Sequence, residues 1–227
     1  MRELAEADGT VFLPSPEPVG PVHHIFICME PSLGRSSANE VRYRVSAGAR
    51  NFLSSLEDFI LHFSIRRYLC KPGQRYHITD VSKGAMPVKG AAKDRERRYC
   101  RWYPLLLEEI DLVANADARV FAVGKAVSDL LGQHPFGRPY THILHYSPQA
   151  ARARNAAIDG CEARFEAFRD SVALEDLVST AREVFKESQV PDRFVDETVA
   201  RLTGAVLTPS RQKLIFSYMM AFEAEQL

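Results

Sequence analysis

Four short apolar runs, each stopping abruptly and each preceded or followed by a helical pattern, constrain this chain more than any other feature. The run over residues 25 to 29 stops at Glu30-Pro31, and Tyr76-His-Ile-Thr-Asp-Val81 finishes on the polar pair Thr79-Asp80. Residues 118 to 124 end in glycine, and residues 141 to 145 end on a histidine. Between the first two, Phe52, Leu53, Leu56, Phe59, Ile60 and Phe63 recur at helical spacing, with Asn51 as a reasonable N-cap and Cys70-Lys-Pro-Gly73 as a stop. Leu105, Leu106, Ile110 and Val113 share a second helical face, and a third helix is expected over residues 125 to 131. Buried strands alternating with helices imply a parallel sheet with right-handed crossovers, covered on both faces. The expected fold is therefore α/β: a three-layer α/β/α sandwich on a mostly parallel four-stranded sheet.

The flanks read differently. Residues 1 to 22 are polar and then proline-rich (Pro14, Pro16, Pro18, Pro21), which predicts an irregular arm. The α/β domain would occupy residues 23 to 154. Residues 155 to 227 carry only helical patterns and predict an extension of two to four helices, packed on the core or on a partner. Residues 36 to 47 read as a long loop, and residues 82 to 99 as a basic loop holding Lys83, Lys89, Lys93, Arg95, Arg97 and Arg98.

With 227 residues, 46% of them hydrophobic, the chain can bury a full core without staples. Its 29 basic and 29 acidic side chains cancel, so bulk charge makes no case for nucleic acid, and only a local basic face would. Cys28, Cys70, Cys100 and Cys161 form no Cys-x-x-Cys pair, which favours reduced thiols over a disulfide framework or a zinc site. No run approaches the roughly 18 apolar residues of a membrane span. A cytoplasmic, soluble protein is expected.

Glu30, Asp80 and His145 end three of the predicted strands, and a parallel sheet delivers all three to one edge, where open α/β folds bind ligands. Each alone has an ordinary structural explanation: a helix-capping or turn acid, a turn former, a framework histidine. No Ser or Cys sits in a nucleophile-elbow context, no glycine-rich phosphate cradle precedes a helix, and the spacing matches no recognised metal motif.

Taken in order, Cys28-Met-Glu-Pro-Ser32, Tyr76-His-Ile-Thr-Asp-Val-Ser-Lys83, the stretch from Cys100 to Leu131 with its Val-Phe-Ala-Val-Gly-Lys125 core, and His145-Tyr-Ser-Pro148 resemble the signature of the uracil-DNA glycosylase superfamily. The similarity covers about residues 24 to 150. The resemblance implies that Glu30 positions or activates the attacking water and stabilises an oxocarbenium-like sugar. It implies that His145 hydrogen-bonds the O2 carbonyl of the leaving base. Ser147 and Pro148 would pinch the DNA backbone, and Gln149, Arg152 and Arg154 would belong to the loop that enters the duplex. Phe52, within Gly48-Ala-Arg-Asn-Phe52, stands where iron–sulfur members carry a base-stacking phenylalanine; its alternative is a core position at the start of a helix. Met29 and Ser32, beside Glu30, would line the base pocket with Asp80. Flipping is required because the glycosidic bond is unreachable in the stack.

Two departures from the family narrow the expected substrate. Uracil readers usually carry asparagine where Asp80 stands. An ionised carboxylate is acceptor-only and would repel uracil O4, whereas the N4 amino group of cytosine donates to it. Strict uracil enzymes have a bulky tyrosine near Ser32, and serine leaves room for a substituent at C5. Together they point to a C5-modified cytosine such as glucosylated hydroxymethylcytosine, and the chain looks similar to bacterial anti-phage DNA glycosylases that remove such bases. A third departure concerns the cluster ligands: Gly84 replaces one of the family's cysteines and no N-terminal cysteine pair exists. No iron–sulfur cluster or metal is expected, with Cys100 as a buried small hydrophobe. Lys83 would touch a phosphate, or else lie on a solvated face. The expected protein is a monomeric, monofunctional glycosylase acting on duplex DNA. The alternatives are ordinary uracil or mismatch repair and a non-catalytic binder of nucleic acid or nucleotide.

Overall fold

The computed structural model describes residues 1–89, 94–147 and 150–226. The N-terminal stretch expected to be irregular holds a helix, α1 (Arg2–Ala7), and a short strand, β1 (Val11–Phe12). The strand is fastened by antiparallel pairing with β4 (Gly84–Ala85). A local proline count could not foresee a partner more than seventy residues away.

The main sheet is built on β2 (Val22–Cys28), in which every residue except His23 is buried. A strand buried on both faces belongs in the middle of a parallel sheet. Here β3 (Tyr76–Asp80) lies on one side of it and β5 (Ala114–Val123) on the other, with β6 (Tyr140–Ile143) beyond, in the order β3-β2-β5-β6 and all parallel. Ile25, Ile27, Val120 and Ala122 supply one apolar sheet face. Tyr99, Tyr103, Leu106 and Ile110 from α4 (Arg95–Val113) cover it, as do Val127, Leu130 and Leu131 from α5 (Lys125–Gln133). Phe26 stacks on Phe121 with centroids 4.7 Å apart.

Helix α4 begins at Arg95, ten positions before its apolar stripe starts at Leu105, which places Arg95, Arg97 and Arg98 on a helix rather than in a loop. The expected loop over residues 36 to 47 contains α2 (Ala38–Ser46), started by a reciprocal capping box between Ser37 and Glu40. It buries none of its residues, so no apolar stripe announced it.

The chain divides into two compact units, Met1–Asn51 with Arg75–His142, and Phe52–Gln74 with Ile143–Leu227. The boundary expected near residue 154 is thus displaced, and the segment carrying α3 (Leu56–Ser64) groups with the C-terminal helices. Its composition explains why. A crossover helix needs one apolar stripe, whereas α3 buries every residue except Glu57. Its N-cap is Ser55, whose side chain accepts from Asp58 N–H, and not Asn51. A π-helical turn, Ile65–Leu69, follows.

The second unit continues through α6 (Ala151–Ala156), α7 (Glu162–Arg169), α8 (Leu174–Glu187), α9 (Asp192–Thr203) and α10 (Pro209–Ala224). Helix α10 buries Leu214, Ile215, Phe216, Tyr218, Met219 and Phe222, almost all round, and is the centre of this unit. Phe165 and Phe168 pack on Phe216 at 5.5 and 5.3 Å, and Phe59 packs on Phe185 at 5.4 Å. Among the described residues, no helix is long and apolar enough to cross a membrane.

Candidate functional site at the carboxyl edge of the sheet

Parallel register decides what the first unit presents at its carboxyl edge. Cys28 pairs with Asp80, and the ladder runs on as Val81 and Ser82 donate N–H to the carbonyls of Cys28 and Met29. Glu30 and Asp80 therefore leave the sheet together, as the sequence suggested.

Asp80 is 1% exposed. Its Oδ2 accepts a hydrogen bond from Asn51 Nδ2 at 2.6 Å, and its backbone carbonyl accepts one from Lys83 Nζ at 2.7 Å. Burial pushes its carboxyl up to about 7, against the Lys83 ammonium and the Asn51 hydrogen bond, which lower it; the carboxylates of Glu109 and Glu30 add to the rise. At neutral pH this carboxyl is poised between acceptor and donor.

Beneath Asp80 lies a buried polar network. On a strand, alternate residues share a face, and His77 and Thr79 of β3 both reach Glu109 of α4. His77 Nε2 and Thr79 Oγ1 donate to Glu109 Oε1 at 2.8 and 2.7 Å. Lys83, 3% exposed, completes it with an ion pair to Glu109 at 2.6 Å and a hydrogen bond to Thr79. Burial would raise Glu109, but the His77 hydrogen bond and the Lys83 charge outweigh it and hold the carboxyl at about 2. Lys83 is therefore neither a phosphate contact nor part of a solvated face. Its ammonium is consumed inside the protein.

Glu30 has two cationic partners from the first turns of α4. Arg95 donates to Oε1 at 2.8 Å and Arg98 to Oε2 at 2.9 Å, and the Arg98 side chain is only 7% exposed. Both guanidiniums lie 6.0 Å from the ring centroid of Tyr99, whose phenol is pushed up by burial and by the Glu30 carboxylate. Ser32 is exposed, with its hydroxyl accepting from Gly34 N–H at 3.0 Å. Met29 is half-buried and packs against the sheet–helix core, which leaves less of it for a base than the sequence suggested. Cys100, expected to be buried, is exposed on α4. Gly84 is required by close approach: a Cβ there would run into the Thr10 hydroxyl, so a cysteine ligand has no room. Among the described residues, no group of three or more His, Cys, Asp or Glu side chains could hold a metal ion.

His145 and Phe52 belong to the second unit. His145 lies two residues beyond the end of β6 and not on the strand. Its Nδ1 accepts from Ser147 N–H at 2.9 Å, which leaves the neutral ring to carry its proton on Nε2. Burial and the Arg154 charge lower it from its usual value, so it is a neutral donor at pH 7. Tyr146 stacks on it at 4.6 Å. Arg154, expected to meet DNA, is 5% exposed and spends its guanidinium on the carbonyls of Tyr146 and Ser147 and on Ser210. It holds the histidine loop in shape. Arg152 is exposed on α6, while Pro148 and Gln149 lie outside the described residues. Phe52 is 1% exposed and is a core residue, not a free stacking face. It adopts φ +60°, a strained conformation for a bulky side chain, and its carbonyl is held by His62 Nε2 at 3.1 Å.

Asn51, Arg95, Arg98, Tyr99, Glu109 and His77 were not singled out as site residues from the sequence. The one available signal was His77 with Thr79: two polar residues on one face of a buried strand need a common partner. Compared with known proteins, the chain matches no family model, no curated protein and no solved structure.

Proposed function

We propose that this protein is a monofunctional DNA glycosylase of the uracil-DNA glycosylase type, built as a three-layer α/β/α sandwich. It hydrolyses the N-glycosidic bond of a flipped-out C5-modified cytosine and leaves an abasic site. The observation that carries this is the Asp80 carboxyl, buried at the sheet edge beside Glu30, poised near neutrality and bonded on one oxygen by Asn51. Cytosine offers an N4 amino donor and an N3 acceptor. A carboxyl with one oxygen left for the base accepts from N4 when ionised or donates to N3 when protonated, so cytosine offers it a partner in either state. Ser32 supports the C5 substituent by being small and exposed. In the second unit, His145 is a neutral N–H donor, the kind of group base excision asks for. Glu30 would act as a fixed negative charge toward the sugar.

One observation favours a second reading, a non-catalytic binder of nucleic acid or nucleotide. Arg95 and Arg98 each bind one oxygen of Glu30, which screens the charge that would face an oxocarbenium ion and sets two guanidiniums at an edge that suits a phosphate. The two readings separate in one experiment. Duplexes holding uracil, cytosine, hydroxymethylcytosine or glucosyl-hydroxymethylcytosine are incubated with the protein and scored for abasic sites. Release of the modified cytosines is expected, with Glu30→Gln keeping DNA binding and losing most turnover. Robust uracil release alone would sink the substrate assignment, and binding without any abasic site would select the second reading.

A further inference from the structure

We propose that Asn51 is a positioning residue that leaves Asp80 Oδ1 as the single oxygen meeting the base, so that Asp80 reads an amino edge when ionised and a keto edge when protonated. The inference rests on the base-reading role given to Asp80 above, but not on bond cleavage.

The geometry starts from the backbone. Asn51 N–H donates to the Pro14 carbonyl at 2.9 Å, which fixes the residue independently of its side chain. Its Nδ2 then donates to Asp80 Oδ2 at 2.6 Å, a short charge-assisted contact in a site where Asp80 is 1% exposed. An ionised carboxylate only accepts, so the Asn51 amide must turn its nitrogen, not its oxygen, toward Oδ2. Among the described residues, no hydrogen bond reaches Oδ1.

A carboxyl takes its proton on either oxygen. With Oδ2 already accepting a short N–H bond, the proton goes to Oδ1. Ionised, Oδ1 accepts from an exocyclic amino group such as cytosine N4 and repels a keto oxygen such as uracil O4. Protonated, Oδ1–H donates to that keto oxygen or to cytosine N3, and the discrimination weakens.

The charges around Asp80 permit both states. The Lys83 ammonium binds the Asp80 backbone carbonyl and Glu109, not the Asp80 carboxylate, so it favours ionisation without occupying Oδ1. Glu109 from α4 and Glu30 from the loop after β2 oppose ionisation. The Lys83 ammonium compensates the first, with His77 hydrogen-bonded to it, and Arg95 and Arg98 compensate the second.

Two measurements on the full chain test this. The first follows the Asp80 carboxyl by 13C NMR across pH. Asn51→Ala removes a hydrogen bond to the ionised form, so the Asp80 midpoint should move up. Asn51→Asp, nearly isosteric, should make the pair share a proton and titrate in two steps. The second measures affinity for duplexes holding 2′-fluoro nucleotides, which resist hydrolysis, with either hydroxymethylcytosine or uracil as the base. From about pH 6 to about pH 8 the preference for the cytosine should rise roughly tenfold, following the ionised fraction of the carboxyl. In Asn51→Ala that rise should shift upward with the NMR midpoint. An unshifted midpoint in both variants, or a preference that ignores pH, overturns the inference. Because the 2′-fluoro probes need no cleavage, failure of the abasic-site assay leaves this result intact, and the reverse also holds.

Discussion

Lys83 shows how burial changes the meaning of a single residue. In a run of basic residues it suggests a phosphate contact. At 3% exposed, with Glu109, Thr79 and the Asp80 carbonyl around it, it is the cation of a buried pair. Removing one partner of such a pair strands the other, at a cost of about 3 kcal/mol. Lys83→Ala should therefore lower unfolding stability by that order in urea denaturation. It should leave the salt slope of DNA binding unchanged, where a phosphate contact would shallow it by about one unit. Asp80 and Glu109 give opposite pH signatures. Glu109 is held at about 2 against an ordinary 4.5, so its contribution is present above 4.5 and is lost as pH falls toward 2. Asp80 is raised from 3.8 to about 7, so the folded chain keeps a proton that the unfolded chain has released. Its effect on stability therefore declines as pH rises between those values. Denaturation midpoints should climb from pH 2 to 4.5 through Glu109, while His62, lowered from 6.5 to about 4 by burial, adds stability toward pH 6.5 and offsets the Asp80 decline. The Asp80 effect is therefore read as a difference: relative to Asp80→Asn, the unsubstituted protein should lose stability as pH rises from 3.8 to about 7, and a difference that does not change with pH would rule the Asp80 titration out.

At the scale of elements, helix starts were harder to read than helix faces. The apolar stripe of α4 is plain from Leu105 onward, yet its first turns are arginine-rich and hold the two partners of Glu30. Polar first turns carry no periodic signal, so these arginines looked like loop. Helix α3 presents the converse case. Asn51 was a chemically sound N-cap, but the cap is Ser55, in a box where the Asp58 carboxylate accepts from Ser55 N–H at 2.8 Å. Asn51 is thereby freed for Asp80. Ser55→Ala should cost about 1 kcal/mol in thermal or chemical unfolding, the usual worth of an N-cap hydroxyl. The corresponding Asn51→Ala change should leave the α3 helix intact by circular dichroism, because Asn51 does not cap it.

For the whole molecule, the two units each carry a core of their own, one around β2 and one around α10. Native-state hydrogen exchange should find two separate sets of slow amides, over Ile25, Phe26 and Ile27 and over Leu214, Ile215 and Phe216. Slow amides confined to one set would mean a single core. What the sequence determined by itself is whatever depends on local pattern. Buried apolar runs alternating with helices specify a parallel sheet, and runs that end in Glu30 and Asp80 bring those acids to its carboxyl edge. Tertiary structure alone decided what each acid faces. Asn51 lies 29 positions from Asp80, and Arg95 and Arg98 lie 65 and 68 from Glu30. Periodicity reports which face of an element is buried. It is silent on which polar group from a distant element will satisfy another once both leave water, because that depends on packing the whole chain must settle at once.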